Sequence, residues 1–346
     1  MDKYQQFVNA IGKKYLTNGQ LKLNEFLSFH TTFRIGGPVE VFFQVKTINE
    51  LIKAVKICQE LKLPCLILGQ GSNILVSDSG FRGVIIKNEI REIKILGYDG
   101  KIKQKKMKIK NILVKVSGGV LVNRLVRFTL DEGIGGFESF LGLPGTVGGA
   151  IYGNAHFLKT NDFFGDYLFE ARLLTLKNKI KKVTRDYFNF DYKTSRLQET
   201  KEIILEAVFS LRSEDSKNLW LKANQVMNYR LKTQPQGKLS AGCVFKNIKK
   251  SEAIRIPTPG FTTSAGLLID AAGLKNKKIG GAQISSHHAN FILNLGNATA
   301  MDVLKLIELI KKKVKEKFGV ELEKEIEMIG EFQEAGQSLN LPKGLS

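Results

Sequence analysis

The chain of 346 residues carries only three cysteines, one tryptophan and seven prolines. Cys58, Cys65 and Cys243 are too few for a disulfide framework and suit a reducing compartment, so a cytoplasmic protein is expected. The opening stretch, Met1 to Ala10, is polar and lacks the apolar segment of a secretory leader. No apolar run approaches the roughly 20 residues that span a bilayer, so no membrane partner is expected. His287 and His288 have no cysteine or carboxylate at ligand spacing, and no metal site is expected. Both the Gly-x-Ser-x-Gly elbow of many esterases and the Gly-Lys-Ser/Thr ending of a Walker loop are absent. Acidic residues are scarce as well: 33 Asp and Glu against 53 Lys and Arg leave a net charge of +20. The excess is mostly scattered lysine, with local runs at Lys101–Lys110 and Lys311–Lys317. Aromatic residues are not interleaved with those runs, as a single-strand groove would require, so no nucleic-acid partner is expected. A basic surface does attract small anions such as nucleotides.

What is present is a mixture of strands and helices without regular βαβ alternation, which favours an α+β fold. Val39–Lys46 predicts a strand, and Thr47-Ile48-Asn49-Glu50 is a capping box that opens a helix with an apolar stripe at Leu51, Ala54, Val55, Cys58 and Leu61. Cys65–Leu68 predicts a short buried strand, and Gly83–Lys87 and Ile112–Ser117 predict two more. A helix follows Gly118-Gly119, with apolar positions Leu121, Leu125 and Phe128 and an end at Gly133. Residues 142–153 are glycine-rich with little periodicity. Leu173–Leu176 and Ile203–Leu211 predict strands, and Ser216–Leu231 a helix. Val303, Leu306, Ile307, Ile310, Val314 and Phe318 mark the clearest amphipathic helix. Residues 331–346 predict a loosely held tail.

Four segments could carry chemistry. Leu68-Gly69-Gln70-Gly71-Ser72-Asn73 follows a strand; its glycines let backbone amides approach a ligand, and such a turn can cradle a diphosphate. The dinucleotide fingerprint fails there, because the third glycine is missing. Leu143-Pro144-Gly145-Thr146-Val147-Gly148-Gly149-Ala150 offers a second such surface, or a bent connector. Two loops of this type without a Rossmann or Walker pattern suggest one large cofactor laid across both. Ser240–Asn247 contains Cys243, whose thiol can donate a proton at neutral pH or simply fill space. Glu321, Glu323, Glu325 and Glu327 would share one face of a strand, ordinarily the face in water.

In this order, the blocks His30–Gly37, Leu68–Asn73, Gly135–Ala150, Phe190–Ser195, Tyr229–Asn247 and Ser264–Asp270 running on to Gly330 resemble the UDP-N-acetylenolpyruvoylglucosamine reductases. The resemblance implies a flavin-binding region of the vanillyl-alcohol-oxidase (PCMH) type over residues 1–212, in two subdomains of about 1–85 and 86–212. A C-terminal α+β substrate-binding domain would cover residues 213–330, before the tail. It implies non-covalent FAD along Gly69, Gln70, Gly71, Ser72 and Asn73 and along Pro144, Gly145, Thr146, Val147, Gly148 and Gly149, with Asn154 beyond. NADPH would be the co-substrate and an enolpyruvyl sugar nucleotide the substrate; no protein partner is implied.

By position in the matched blocks, Cys243 is the proton donor and Glu325 the late catalytic glutamate. The arginine that steadies the enolate in the family pattern is Lys193 here, with Arg196 as the neighbouring alternative. Tyr229, Arg230, Lys232, Asn247 and His288 are the candidates for holding diphosphate, sugar or nicotinamide. The common Met-Asn-Ala-Gly is Gly153-Asn154-Ala155-His156 in this chain, followed by an unusual segment from Phe157 to Asp166. The short connection between Leu211 and Tyr229 leaves no room for the tyrosine-bearing insertion of one subgroup.

Overall fold

The computed structural model describes residues 2–103, 106–255, 258–334 and 337–339. Strand Pro38–Val45 lies between an antiparallel neighbour, Leu21–Phe26, and a parallel one, Phe81–Asn88, which in turn pairs in parallel with Cys65–Leu68. Alternation along these strands sends Val41, Phe43, Val84, Ile86 and Cys65 to one face. There they meet helix Ile48–Glu60, which buries Leu51, Ala54, Val55, Ile57 and Cys58 and is opened by the expected capping box of Thr47 and Glu50. Each fully buried Leu, Val or Phe of this layer contributes roughly 1.5–3 kcal/mol. The other face, with Phe42, Leu68 and Ile85, carries the glycine loop at its end.

A second sheet is antiparallel, in the order Ile180–Thr184, Leu168–Leu174, Ile203–Ser213, Lys106–Ser117, Ile93–Lys103. Helices Val122–Asp131 and Ser216–Thr233 pack on its core. The C-terminal part sets a small antiparallel sheet, with strands Ala282–Ile284 and Ile292–Asn294, against helix Ala300–Phe318.

This C-terminal part is stitched to the N-terminal one. Phe33, Ile35 and Leu75 belong to its apolar core. The Asp78 carboxylate accepts the amides of Ala300 (2.8 Å) and Met301 (3.2 Å) at the start of the long helix, where a negative charge also complements the helix dipole. Strand Glu327–Ile329 returns to pair in parallel with Ile74–Val76, directly after the first glycine loop.

Several sequence expectations need correction. Helix Val147–Tyr152 lies inside the stretch expected to be irregular. The strand placed at Leu173–Leu176 is Leu168–Leu174, because Thr175 already turns, its amide bonding the Lys179 carbonyl. The helix after Gly119 buries Val122, Leu125, Val126, Thr129 and Leu130, and Leu121 is its N-cap residue rather than part of the stripe. In the expected tail, Phe332–Glu334 pairs with Gln337–Leu339 and Phe332 is buried in the C-terminal core. Residues 335, 336 and 340–346 lie outside the described residues, as do 104 and 105 of the first lysine run.

Candidate active site

The two glycine loops meet. Gln70 Oε1 accepts the Gly145 amide at 2.7 Å, and Ser72 Oγ donates to the Pro144 carbonyl at 3.4 Å. A Cβ on Gly69 would stand 2.5 Å from Thr146 Oγ1, and one on Gly71, at φ +64°, 2.6 Å from the His30 carbonyl oxygen. Only glycine permits both approaches. Among the described residues, the amides of Gln70, Gly71, Ser72 and Asn73 donate to no protein acceptor. Consecutive open amides of this kind are an anion cradle.

The second stretch is spent differently. The Val147 and Gly148 amides bond the Val120 and Gly118 carbonyls at 2.8 Å each, and Thr146 Oγ1 caps helix Val147–Tyr152 through the Gly149 amide. It forms a stiff wall beside the cradle, where a Cβ on Gly149 would meet nothing nearer than 3.6 Å. Asn154 lies behind that wall, its Nδ2 donating to the Asp191 carbonyl (2.9 Å) and its Oδ1 accepting the Gly165 amide (3.1 Å). Open amides on one side and a side-chain-free wall on the other fit a flavin dinucleotide.

The reactive side chains gather around residue 243. The segment Leu239–Phe245 is bridged to Asn294 and Phe291 on one side and to Lys324 on the other. The Glu325 amide donates to the Val244 carbonyl at 2.7 Å, so Glu325 and the cysteine sit on neighbouring backbones. The expected strand over Glu321–Glu327 begins only at Glu327; before it the chain is irregular, with Leu322 and Ile326 buried while Glu321 and Glu323 are exposed and pair with Lys315 and Lys246. Glu325 instead turns into the site: its Oε1 lies 2.6 Å from Lys193 Nζ.

Lys193 arrives on the turn Asp191–Thr194 in a left-handed conformation, φ +58°, which costs a non-glycine residue roughly 1–2 kcal/mol. The turn is braced by Gln198 Nε2 donating to the Lys193 carbonyl (3.0 Å) and by the Asn247 amide donating to Tyr192 Oη (3.3 Å). Arg196 points elsewhere; it is exposed and lies over the Tyr187 ring at 4.9 Å.

Electrostatics follow from this packing. Burial, then the Glu325 charge, push the Cys243 thiol up to about 12, against the opposing charges of Lys193 and Arg230. Burial alone would lower Lys193, but Glu325, Cys243 and Tyr192 outweigh it and hold the ammonium above its ordinary value. Both groups therefore keep their protons at neutral pH.

The remaining candidates divide. Arg230 is 5% exposed; its Nη2 donates to the Ser139 carbonyl at 3.2 Å, while its Nε is buried without a partner. Burial lowers its pKa to about 10, which still leaves it charged. Asn247 Oδ1 accepts the Ala265 amide (3.1 Å), and His288 Nδ1 accepts the Asn290 amide (3.3 Å). Tyr229 is part-exposed beside Phe157, and Lys232 is exposed, its carbonyl 2.8 Å from His287 Nε2. Sequence reasoning did not single out Asn290. This buried side chain bonds both the amide (2.9 Å) and the carbonyl (2.8 Å) of Phe245, and so sets the segment that carries Cys243. It also overlooked Tyr192.

Comparison with known proteins agrees with this layout. A family model described as the UDP-N-acetylenolpyruvoylglucosamine reductase C-terminal domain matches residues 234–329, and an FAD binding domain model matches 39–184. The UDP-N-acetylenolpyruvoylglucosamine reductase of Bacillus pumilus is 37% identical over 314 residues, 90% of this chain and 95% of that one. Its counterpart in Listeria innocua is 38% identical over 311 residues, with the same shares covered. The crystal structure of the enzyme from Thermus caldophilus superposes with a TM-score of 0.68 at 30% identity, covering 90% of this chain and 98% of that one. The chain therefore belongs to the UDP-N-acetylenolpyruvoylglucosamine reductase family.

Proposed function

We propose that Cys243, Lys193 and Glu325 perform the proton and charge chemistry of this family's reaction, the NADPH-dependent reduction of UDP-N-acetylglucosamine enolpyruvate to UDP-N-acetylmuramate for peptidoglycan precursors. The chain is an FAD-binding oxidoreductase. Gly69–Asn73 and Pro144–Gly149 would hold FAD without a covalent bond, and the bound flavin would supply hydride taken from NADPH. Hydride arriving at the substrate methylene leaves negative charge on the adjacent carbon and its carboxylate. Lys193 faces that charge as a fixed cation, and preorganised charge of this kind is commonly the largest catalytic contribution. Glu325 holds the Lys193 ammonium extended and protonated. Cys243 then gives its proton to the carbon; the charges of Lys193 and Arg230 favour the thiolate left behind until solvent restores the proton.

Arg230, buried and without a carboxylate partner among the described residues, is the strongest candidate for an anionic oxygen of the sugar nucleotide. Tyr229, Lys232, Asn247 and His288 are proposed around it. Strand Ile203–Ser213 passes into helix Ser216–Thr233 through only Glu214 and Asp215, which supports the subgroup without the tyrosine insertion. Among the described residues no helix is long and apolar enough to cross a membrane, and a cytoplasmic site of action is proposed. The division at 212 and 330 into flavin and substrate domains is likewise a proposal.

One observation carries this reading: the 2.6 Å Lys193–Glu325 pair beside Cys243, with the Glu325 backbone tied to the side chain of Asn73 in the first glycine loop. Purified protein should be yellow, and should consume NADPH steadily only when the enolpyruvyl sugar nucleotide is added. A colourless protein that takes up no flavin would overturn it.

A further inference from the structure

Between the second glycine stretch and the antiparallel sheet stands a small hairpin, strands His156–Phe157 and Asp162–Phe163, where the chain departs from the family pattern. Both of its ends reach the cations of the site. The Phe157 ring lies 4.8 Å from the Arg230 guanidinium carbon, and its edge meets Tyr229 with centroids 5.8 Å apart. The Asp162 carboxylate accepts from the hydroxyls of Ser139, Thr160 and Tyr167, the last two at 2.6 and 3.2 Å. Ser139 is the residue whose carbonyl receives Arg230 Nη2. His156 stacks on Phe163 at 4.1 Å and turns its edge toward Tyr192 at 5.6 Å, next to Lys193.

Arg230 is thus gripped by a ring and a carbonyl, neither of which neutralises it. A carboxylate partner would have consumed the charge; an aromatic face steadies a guanidinium while leaving it available. Its buried, unpartnered Nε is a donor with nothing to donate to, an arrangement that is costly unless a ligand completes it.

We propose that the hairpin is a positioning device, with Phe157 and Asp162 as positioning residues that hold Arg230 rigid and unpaired for an anionic oxygen of the sugar nucleotide. This rests on the reading of the site given above and assigns a role to the segment that distinguishes this chain. Phe157 transfers no proton and touches no reacting atom; it acts through Arg230. Its loss should therefore weaken binding of the substrate more than its turnover.

The test is steady-state kinetics on the flavin-loaded enzyme with Phe157→Leu, Phe157→Tyr and Asp162→Asn. Leucine keeps an apolar filler but removes the ring face; tyrosine restores the face. Phe157→Leu should raise KM for the enolpyruvyl sugar nucleotide about tenfold, the size of a desolvated cation–π contact, with kcat falling less than about threefold. Phe157→Tyr should return KM to within about threefold of wild type, and Asp162→Asn should raise it several-fold. Melting temperature and flavin content report folding separately. Unchanged KM in Phe157→Leu would overturn the hairpin's role while the site reading stands, as would a loss in Phe157→Leu that tyrosine does not restore. If wild-type enzyme fails to turn over the sugar nucleotide at all, the site reading falls and takes the hairpin with it.

Discussion

Asn73 Nδ2 donates to the Glu325 carbonyl at 3.1 Å, and the Asn73 carbonyl receives the Glu327 amide at 2.9 Å. The last residue of the cofactor loop thereby holds the segment that carries the late glutamate, just before strand Glu327–Ile329, across a separation of 252 residues.

Asn73→Leu should accordingly impair two properties together. Losing one hydrogen bond of this kind is worth about 1 kcal/mol, so flavin affinity and kcat should each fall about fivefold. Flavin retention on gel filtration and steady-state turnover measure them independently. A variant that loses flavin affinity with unchanged kcat in saturating FAD would show that the tether does not serve catalysis.

The raised thiol gives a second expectation. With a pKa of about 12, Cys243 holds only about one part in ten thousand as thiolate at pH 8. Its alkylation by iodoacetamide should therefore be at least about 100-fold slower than that of a free thiol at that pH. The Glu325 charge raises this pKa, so Glu325→Gln should lower it and speed alkylation. Because the folded pKa lies above the ordinary value, the donor keeps its proton as pH rises and is lost only toward pH 12. No alkaline fall in proton delivery below about pH 10 should trace to Cys243. Peptide mass spectrometry of timed alkylations measures the rates; a fast-reacting Cys243 at pH 8 contradicts the electrostatics.

Much of the frame was legible in the sequence. Cys65–Leu68 was read with the observed bounds, and the Thr47–Glu50 capping box is present, because both signals are local. Helix Val147–Tyr152 was missed because Gly148 and Gly149 suppress helical propensity and six residues cannot show a period. Cys243 and Glu325 could not be separated by composition or spacing from an ordinary buried thiol and a solvated acid; only the block-by-block resemblance singled them out. Asn290 escaped altogether, and the segment from Phe157 to Asp166 stands out only as a departure from the family pattern, with no hairpin or role read from it. Asn290 acts on Phe245, 45 residues away, and nothing in a linear sequence states which backbone a buried amide will serve. The aromatic contacts of Phe157 depend likewise on where helix Ser216–Thr233 places Arg230.

Lys193 carries a further expectation. Lys193→Ala should slow re-oxidation of reduced flavin by the sugar nucleotide about 100-fold or more, as loss of a preorganised charge does. Arg196→Ala should stay within about twofold, because Arg196 is exposed on the Tyr187 ring. Lys193→Arg tests fit, since a planar fork must replace a point charge in contact with Glu325. Rapid-mixing absorbance separates these rates; a larger effect at Arg196 than at Lys193 would reassign the cation.

Asn290→Ala should destabilise the fold by about 2–4 kcal/mol, since the buried amide and carbonyl of Phe245 both lose their partner. Urea denaturation measures it. A change under about 0.5 kcal/mol would mean that the clamp is dispensable.

The most direct measurement is a two-stage absorbance experiment on Cys243→Ala. Anaerobic NADPH should bleach the flavin at close to the wild-type rate, because that step needs no proton from residue 243. Added enolpyruvyl sugar nucleotide should then restore the yellow colour at least about 100-fold more slowly than in wild type. Equal slowing of bleaching and recovery, or recovery at the wild-type rate, would contradict the thiol's role as proton donor.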